Sequence, residues 1–371
     1  MAELVVFGEN LVYRMGGAER SMYHLLRQLG ETQSVRVTPV SGVCELYDRV
    51  YERYPYGNVV EIHMSRPRIH LPFLRYTLNA HAVGEYCRQS EADLLFANAE
   101  AAPMAINSFD GPSVYFIHDE MSLSTYRLYD RTLEKRVKFA VRYLIDSPFM
   151  AHYRAENRKA MRKAKLVVAN SAHVAGRAEE RFGITPVVVY PQIDVGGLGS
   201  EELPPLEERP YIMMVGDAEL KGAGTFRKIA AAMPDYEFLQ VGRSLPERKE
   251  GNVTLRGFAP DPVEYYRGAR LVLVPSRCEE GFGMVALEAG AMGIPALVSD
   301  RGGLPEAVPS RQYVVEDFLN PGVWIGRIRD VLREYDRHPP VFRDHALEFD
   351  MRKQAGKLIE EVRRSTGVRL R

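Results

Sequence analysis

The sequence predicts an α/β protein made of two βα-repeating halves, each a parallel sheet covered by helices on both faces. Short continuous apolar runs alternate with longer stretches of helical spacing. A Gly-, Pro- and acid-rich stretch interrupts that alternation near residue 200, and the alternation then restarts. In the first half Leu4–Phe7 reads as a buried strand, and Ala18 to Leu29 follows with Met22, Leu25, Leu26 and Leu29 on one helical face. Further strands are expected at Asp93–Ala97, Ser113–Ile117, Leu166–Ala169 and Pro186–Tyr190. Tyr190 to Pro210 has the composition of an exposed linker, with Gly196, Gly197, Gly199, Pro204, Pro205 and Pro210. Beyond it strands are expected at Tyr211–Val215, Tyr236–Val241, Val253–Leu255, Leu271–Val274 and Pro295–Val298. The expected division is residues 1–195 and residues 196–349. Ligands of such sheets sit at the carboxyl ends of the strands, which directs attention to the cleft between the halves.

The length of 371 residues agrees with two domains at about 150 residues each. With 46% hydrophobic and 26% charged residues, the composition is that of a globular protein and excludes a disordered or fibrous chain. No apolar run approaches the roughly 18 residues of a membrane span. The N-terminus has neither a basic n-region nor a cleavage site, so no signal peptide is expected. Three scattered cysteines, Cys44, Cys87 and Cys278, fit neither a disulfide framework nor a zinc site, and the expected location is cytoplasmic. Lys+Arg and Asp+Glu number 49 each, which argues against a general nucleic-acid binder.

Several catalytic and nucleotide motifs are missing. Gly222-Ala223-Gly224 lacks the third glycine of a dinucleotide fingerprint, and Lys221-Gly222-Ala223-Gly224-Thr225 has the wrong order for a Walker loop. Neither a Gly-x-Ser-x-Gly elbow nor a His-Glu-x-x-His pair occurs. There is no Asp-x-Asp to hold a diphosphate through a divalent metal, so a bound diphosphate would rest on backbone amides and cations. No cofactor and no metal are expected.

The most informative block runs from Pro275 to Ala289. It follows a buried strand, passes through Gly281-Phe282-Gly283 and enters a helix at about Met284. Glycines let a ligand approach the backbone, and a helix N-terminus offers free N–H groups and a positive dipole to an anion. Glu280 in the loop and Glu288 about one turn into the helix could each grip vicinal hydroxyls of a sugar or ribose. The plainer reading of either acid alone is a helix cap or a surface charge.

This block resembles the Glu-x₇-Glu signature of glycosyltransferase family 4, a retaining family with two facing Rossmann-like domains, the GT-B fold. The segment Gly293 to Glu306 continues in the family manner. So do Gly16-Gly17-Ala18-Glu19-Arg20, Phe116-Ile117-His118-Asp119, Asn170-Ser171 and Lys221-Gly222, in the expected order over nearly the whole chain. The resemblance implies an N-terminal acceptor-binding domain and a C-terminal domain that binds the nucleotide sugar across an interdomain cleft. The C-terminal helix, at about 350–371, would pack back on the first domain.

It also implies roles. Glu288 would bond the ribose hydroxyls. Glu280 would face the donor sugar, with the amides of Gly281, Phe282, Gly283, Met284 and Val285 near its hydroxyls and the diphosphate. Lys221 would neutralise the leaving diphosphate. His118 would contact the transferred sugar, although a histidine after a strand is by itself more often structural. Gly16 and Gly17 would bring backbone against the phosphates or the acceptor, and the base would pack near Gly257 and Phe258. The family usually has an Arg after the glycine that ends the first strand of the second domain. Asp217 stands there instead, so it should point away from a diphosphate, with Arg243, Arg277 or Arg301 as the substitute cation.

Residues 127–165 hold twelve Lys/Arg against four Asp/Glu. Leu133, Val137, Ala140, Val141, Leu144 and Ile145 recur there at helical spacing with cations opposite. Two readings stay open: an amphipathic domain helix with a solvated charged face, or a surface for an anionic membrane or a phosphate-bearing acceptor. Arg66 to Tyr76 mixes cations and aromatics in the same half and would share that surface.

The expected function is retaining, metal-independent transfer of a sugar from a nucleotide diphosphate sugar to an acceptor hydroxyl, in polysaccharide, glycolipid or other glycoconjugate synthesis. The acceptor would be a saccharide, a lipid-linked compound or a small molecule. The protein would be cytoplasmic, with peripheral membrane association through residues 127–165 at the inner membrane face. The alternatives are a nucleotide-sugar epimerase of the same architecture and a non-catalytic nucleotide-sugar-binding protein.

Overall fold

A computed structural model describes residues 2–8, 17–31, 35–43, 59–65, 71–98, 102–118, 133–200, 202–258 and 263–370. Gly16, Arg66 to His70, Asp119 and Arg127 to Arg131 lie outside the described residues. The chain forms two compact units, residues 1–192 with 351–371, and residues 193–350.

The first unit contains β1 (Ala2–Gly8), α1 (Gly17–Glu31), β2 (Val35–Val43), β3 (Val60–His63), α2 (Pro72–Gln89), β4 (Leu94–Asn98), α3 (Ala102–Ser108), β5 (Ser113–Ile117), α4 (Leu133–Lys163), β6 (Leu166–Ala169), α5 (Ala172–Phe182) and β7 (Val187–Val188). Its strands pair in the order β3-β2-β1-β4-β5-β6-β7, all parallel. Strand residues alternate between two cores, as the period of two requires. Val5, Phe7, Leu95, Ala97, Tyr115 and Ile117 face α2, α3 and α4. Leu4, Val6, Leu94, Phe96, Val114 and Phe116 face α1 and the C-terminal helix, through Leu358, Ile359 and Val362.

The second unit contains α6 (Val195–Gly199), β8 (Tyr211–Val215), α7 (Ala223–Ala231), β9 (Glu237–Val241), β10 (Arg248–Glu250), β11 (Val253–Arg256), α8 (Val263–Arg267), β12 (Ala269–Val274), α9 (Met284–Ala291), β13 (Ala296–Ser299), β14 (Val314–Val315), α10 (Pro321–Arg333) and α11 (His338–Leu347). The chain then returns to the first unit as α12 (Met351–Thr366). Here the order is β10-β11-β9-β8-β12-β13-β14, parallel except for the antiparallel β10–β11 pair. β8 continues outward to β9 on one side and β12 continues to β13 on the other. Their adjacent carboxyl ends therefore form the topological switch point of the sheet, where loops diverge and leave a crevice.

Two expectations need correction. Residues 190–210 are not simply an exposed linker: Ile193, Val195 and Arg209 are buried, and Asp194 caps α6 by accepting from the Gly197 amide at 2.8 Å. The reading of α4 as a helix with a buried apolar face also fails over its N-terminal part. No side chain from Arg136 to Ile145 is buried; Val137 and Val141 are half exposed, and Leu144 is 75% exposed. Burial starts at Asp146, which accepts from the amides of Phe73 and Leu74 and so caps α2, where Leu71 supplies no side-chain cap. It continues with Met150, Tyr153 and Asn157.

Two histidines should make the second unit acid-sensitive. Burial pushes both His338 and His345 below their ordinary value of 6.5, against weaker opposing contributions from nearby acceptors and acids. His345 Nε2 donates to the Glu306 carbonyl at 3.2 Å, and His338 Nδ1 lies 2.8 Å from the Tyr313 hydroxyl. The folded pKa values are depressed, so the unfolded chain takes up protons first as the pH falls through about 6.5, and stability is lost downward from there. Thermal unfolding should therefore move to lower temperature between about pH 7.5 and about pH 5.5. In His345→Gln, which keeps a donor for the carbonyl, that slope should be shallower; an unchanged slope would remove His345 as a contributor.

Candidate donor site in the second unit

Two loops meet at the switch point, one after β8 and one after β12. The first ends in a single 3₁₀ turn, Glu219–Lys221, closed by Gly222 at φ +90°. A side chain at Gly222 would collide with the Pro275 carbonyl oxygen, so glycine is required both for the backbone conformation and for contact with the second loop. The amide of Arg277 donates to the Leu220 carbonyl at 2.8 Å and ties the two loops together. On the other side of the second loop, Gly302 sits at φ +62° against the Glu280 backbone, and the Gly303 amide donates to the Glu280 carbonyl at 2.8 Å.

Lys221 and Glu280 meet between these backbones. Lys221 Nζ donates to Glu280 Oε1 and Oε2, each at 2.7 Å. Glu280 Oε1 also accepts from Ser276 Oγ at 2.7 Å, and the carbonyl of the fully buried Ser276 accepts from Ser299 Oγ at 2.6 Å. The Lys221 stem leaves 47% of the side chain exposed, while its ammonium is densely surrounded by protein atoms. That burial works against the charge, but the Glu280 carboxylate, through its charge and its hydrogen bond, opposes it and the pKa is raised. Burial and then Glu280 push the Cys278 thiol up, which keeps it protonated.

Helix α9 starts at this loop. No side chain caps its N-terminus at Gly283, so its first amides, at Met284 and Val285, lack intrahelical partners. Met284 and Val285 are half-buried, whereas the Phe282 ring turns inward onto Phe349, with centroids 5.3 Å apart. Phe282 can thus offer its backbone but not its side chain. Glu288 is buried one turn further on, where Tyr266 Oη donates to its Oε2 at 2.8 Å.

The remaining expected residues fall in three places. Asp217 Oδ2 accepts from the Ser244 amide at 2.9 Å, which turns the carboxylate onto the 242–244 turn. Arg243 is exposed on that turn and forms no ion pair among the described residues. Arg277 lies 3.7 Å from Glu219, and Arg301 pairs with Glu279 at 2.8 Å. Gly257 follows β11, and the Phe258 ring is exposed beside it. His118 and Gly17 belong to the first unit. Gly17 opens α1, and His118 is buried after β5 with its ring stacked 6.0 Å from Phe116. A cleft of about 430 Å³ at Gly199, Arg209, Gly293 and Arg343 is lined by none of these residues.

Tyr266 and the hydroxyl of Ser276 were not identifiable as site residues from sequence. Tyr266 lies 22 residues before its partner, and no motif links the two. Among the described residues, no group of three or more His, Cys, Asp or Glu is placed to hold a metal ion.

Two Rossmann-like sheets, one with glycine loops, a basic side chain and an uncapped helix at its switch point, define a GT-B-type α/β protein. Residues 15–196 match Glycosyltransferase Family 4 and residues 209–333 match Glycosyl transferases group 1, and the chain belongs to this family. It is 29% identical over 232 residues to D-inositol 3-phosphate glycosyltransferase of Segniliparus rotundus, covering 53% of this chain and 51% of that one. Among curated relatives the matched segments span 16% to 51% of the relatives' lengths. Sucrose-phosphate synthase from Thermosynechococcus elongatus superposes with a TM-score of 0.73 at 17% identity, covering 98% of this chain and 99% of that one. Anabaena Alr3699/HepE in complex with UDP-glucose gives 0.69 at 16% identity, with the same coverage. At these identities the likeness to the solved structures concerns the fold.

Replacing Tyr266 with Phe removes one bond to a buried carboxylate, and should lower unfolding stability by about 1–3 kcal/mol in chemical denaturation. An unchanged midpoint would mean that Tyr266 does not hold Glu288.

Proposed function

We propose that this protein is a retaining, metal-independent glycosyltransferase that moves a sugar from a nucleotide diphosphate sugar to an acceptor hydroxyl. The observation that carries the reading is the convergence of Lys221, Glu280 and the uncapped N-terminus of α9 at one switch point. Cation and amides suit a diphosphate, while the carboxylates of Glu280 and Glu288 suit hydroxyl groups on either side of it. A relative named D-inositol 3-phosphate glycosyltransferase supports glycosyl transfer, and a structural neighbour solved in complex with UDP-glucose supports the donor class.

In this mechanism Glu288, held by Tyr266, takes the ribose hydroxyls, and the exposed ring of Phe258 lies beside Gly257 for the base. The α9 amides and Lys221 receive the diphosphate, and Arg243 is a nearby cation without an ion pair among the described residues. The bond between the anomeric carbon and the phosphate oxygen breaks as the acceptor oxygen attacks from the face the leaving group vacates. The acceptor proton passes to the departing phosphate oxygen. Lys221 counters the negative charge that grows on the diphosphate, an interaction strongest in the transition state. The first domain binds the acceptor, with His118 and Gly17 as its candidate residues.

Free-nucleotide release from a panel of nucleotide sugars, with and without candidate acceptors, tests the reading. A transferase releases nucleotide faster once its acceptor is present, an epimerase forms a new nucleotide sugar, and a sensor only binds. Glu280→Gln and Glu288→Gln should each lower turnover by roughly a hundredfold or more. Normal turnover in both variants would contradict the mechanism.

The acceptor side extends to a membrane. On α4, Leu144, Val137, Val141 and Ile145 form one apolar stripe, with Lys138 and Arg142 along one edge and Arg136 along the other. Exposed apolar side chains bordered by cations fit an anionic bilayer, with the apolar groups in the acyl boundary and the cations among headgroups. No described helix is long and apolar enough to cross a membrane. A peripheral location at the inner face would give access to a lipid-linked acceptor. Leu144→Asp should abolish co-sedimentation with phosphatidylglycerol vesicles without changing Tm, and charge reversal at Arg136, Lys138 and Arg142 should weaken it. Undiminished co-sedimentation in both variants would exclude this surface.

A further inference from the structure

We infer that the Lys221–Glu280 ion pair makes the donor site discriminate between a nucleotide diphosphate sugar and the sugar-free nucleoside diphosphate. The inference rests on the donor-site reading above and concerns what the two side chains do to each other before a ligand arrives. Both Glu280 oxygens accept from the Lys221 ammonium at 2.7 Å, so the cation meant for the diphosphate is already neutralised. The two partners are held unequally. Glu280 is fixed by the Ser276 hydroxyl, by its backbone pairing with Gly302 and by the Gly303 amide. Lys221 reaches it on a long flexible stem from a single 3₁₀ turn. The lysine is therefore the partner that moves.

A nucleoside diphosphate without a sugar must draw Lys221 away and leave the Glu280 carboxylate with the Ser276 hydroxyl and the weak Cys278 thiol donor but no cation, close to the ligand's own negative charge. A desolvated carboxylate stripped of its cation is costly. A sugar removes that cost, because its hydroxyls donate to the carboxylate oxygens that Lys221 vacates. Release of the cation is thereby coupled to the presence of a sugar. After transfer the coupling runs in reverse: the sugar leaves with the acceptor, Glu280 reclaims Lys221, and the diphosphate product loses its cation. One ion pair favours the loaded donor and speeds departure of the spent one.

The test is calorimetric titration of the full chain with UDP, GDP and ADP, each compared with its glucose conjugate, carrying forward the base that binds. The wild-type protein should bind the conjugate more tightly than the bare diphosphate. Glu280→Gln frees Lys221 and should bind the bare diphosphate roughly threefold to tenfold more tightly than wild type, while its preference for the conjugate shrinks. The gain should vanish in a Lys221→Met background, where Glu280→Gln changes diphosphate affinity by less than about twofold. Circular dichroism and Tm of each variant establish that it is folded. If Glu280→Gln binds the diphosphate no more tightly than wild type, or if the gain persists without Lys221, the discriminator role is wrong while the donor site stands. If wild type binds none of the six compounds, the donor-site reading fails and takes this inference with it.

Discussion

Backbone-to-backbone packing around one loop is the constraint on which the rest of the site depends. The Pro275 carbonyl lies where a side chain at Gly222 would begin, and the Glu280 and Gly281 backbone lies where side chains at Gly302 and Gly303 would begin. Two of these glycines also take positive φ values that L side chains rarely adopt. The loop after β12 is thus gripped between the turn after β8 and the turn after β13. Its own side chains gain a fixed frame from that grip: Ser276 buried beneath, Glu280 turned to Lys221, and α9 starting at Gly283 with its amides free. A larger residue at Gly222 or Gly302 would push apart the two loops whose separation sets the Lys221–Glu280 distance.

Charge is distributed over this frame with little to spare. The ammonium of Lys221 is crowded and would lose its proton more readily without the carboxylate beside it. Asp217 does not compete, because the Ser244 amide holds it on another turn. Arg277 and Arg301 are engaged by Glu219 and Glu279, which leaves Arg243 as the nearby cation on these loops without an ion pair among the described residues. Glu288 is a buried acid that keeps its place through a tyrosine hydroxyl. The groups at this site are therefore already partnered, and under the proposed function binding is an exchange of partners.

Much of this organisation is legible in the sequence. Continuous apolar runs such as Leu271–Val274, short, partly β-branched and bounded by turn residues, read as strands buried on both faces, and the glycine-rich passage into Met284 announces a loop-to-helix turn. Local signals account for both. β2 escaped notice because Pro39 and Gly42 interrupt its alternation of Val35, Val37 and Val40, and the parallel neighbours that hold it lie far away in sequence. β10 and β14 have three and two residues, too short for any period to show. Tyr266 gives no signal because its role is a contact across the fold. α4 misled for the opposite reason: the spacing of Val137, Val141 and Leu144 is real, but periodicity reports that an apolar face exists, not that the protein itself covers it.

The central claim is that the loops after β8 and β12, with the start of α9, hold a nucleotide diphosphate sugar. Hydrogen–deuterium exchange in the presence of saturating nucleotide sugar measures this most directly, since it reads the backbone amides assigned to the ligand. The account predicts slowed exchange in residues 217–222 and 276–286, concentrated at Met284 and Val285, with little change in α10. Slowed exchange confined to other segments, or none with any nucleotide sugar that calorimetry finds to bind, would contradict it.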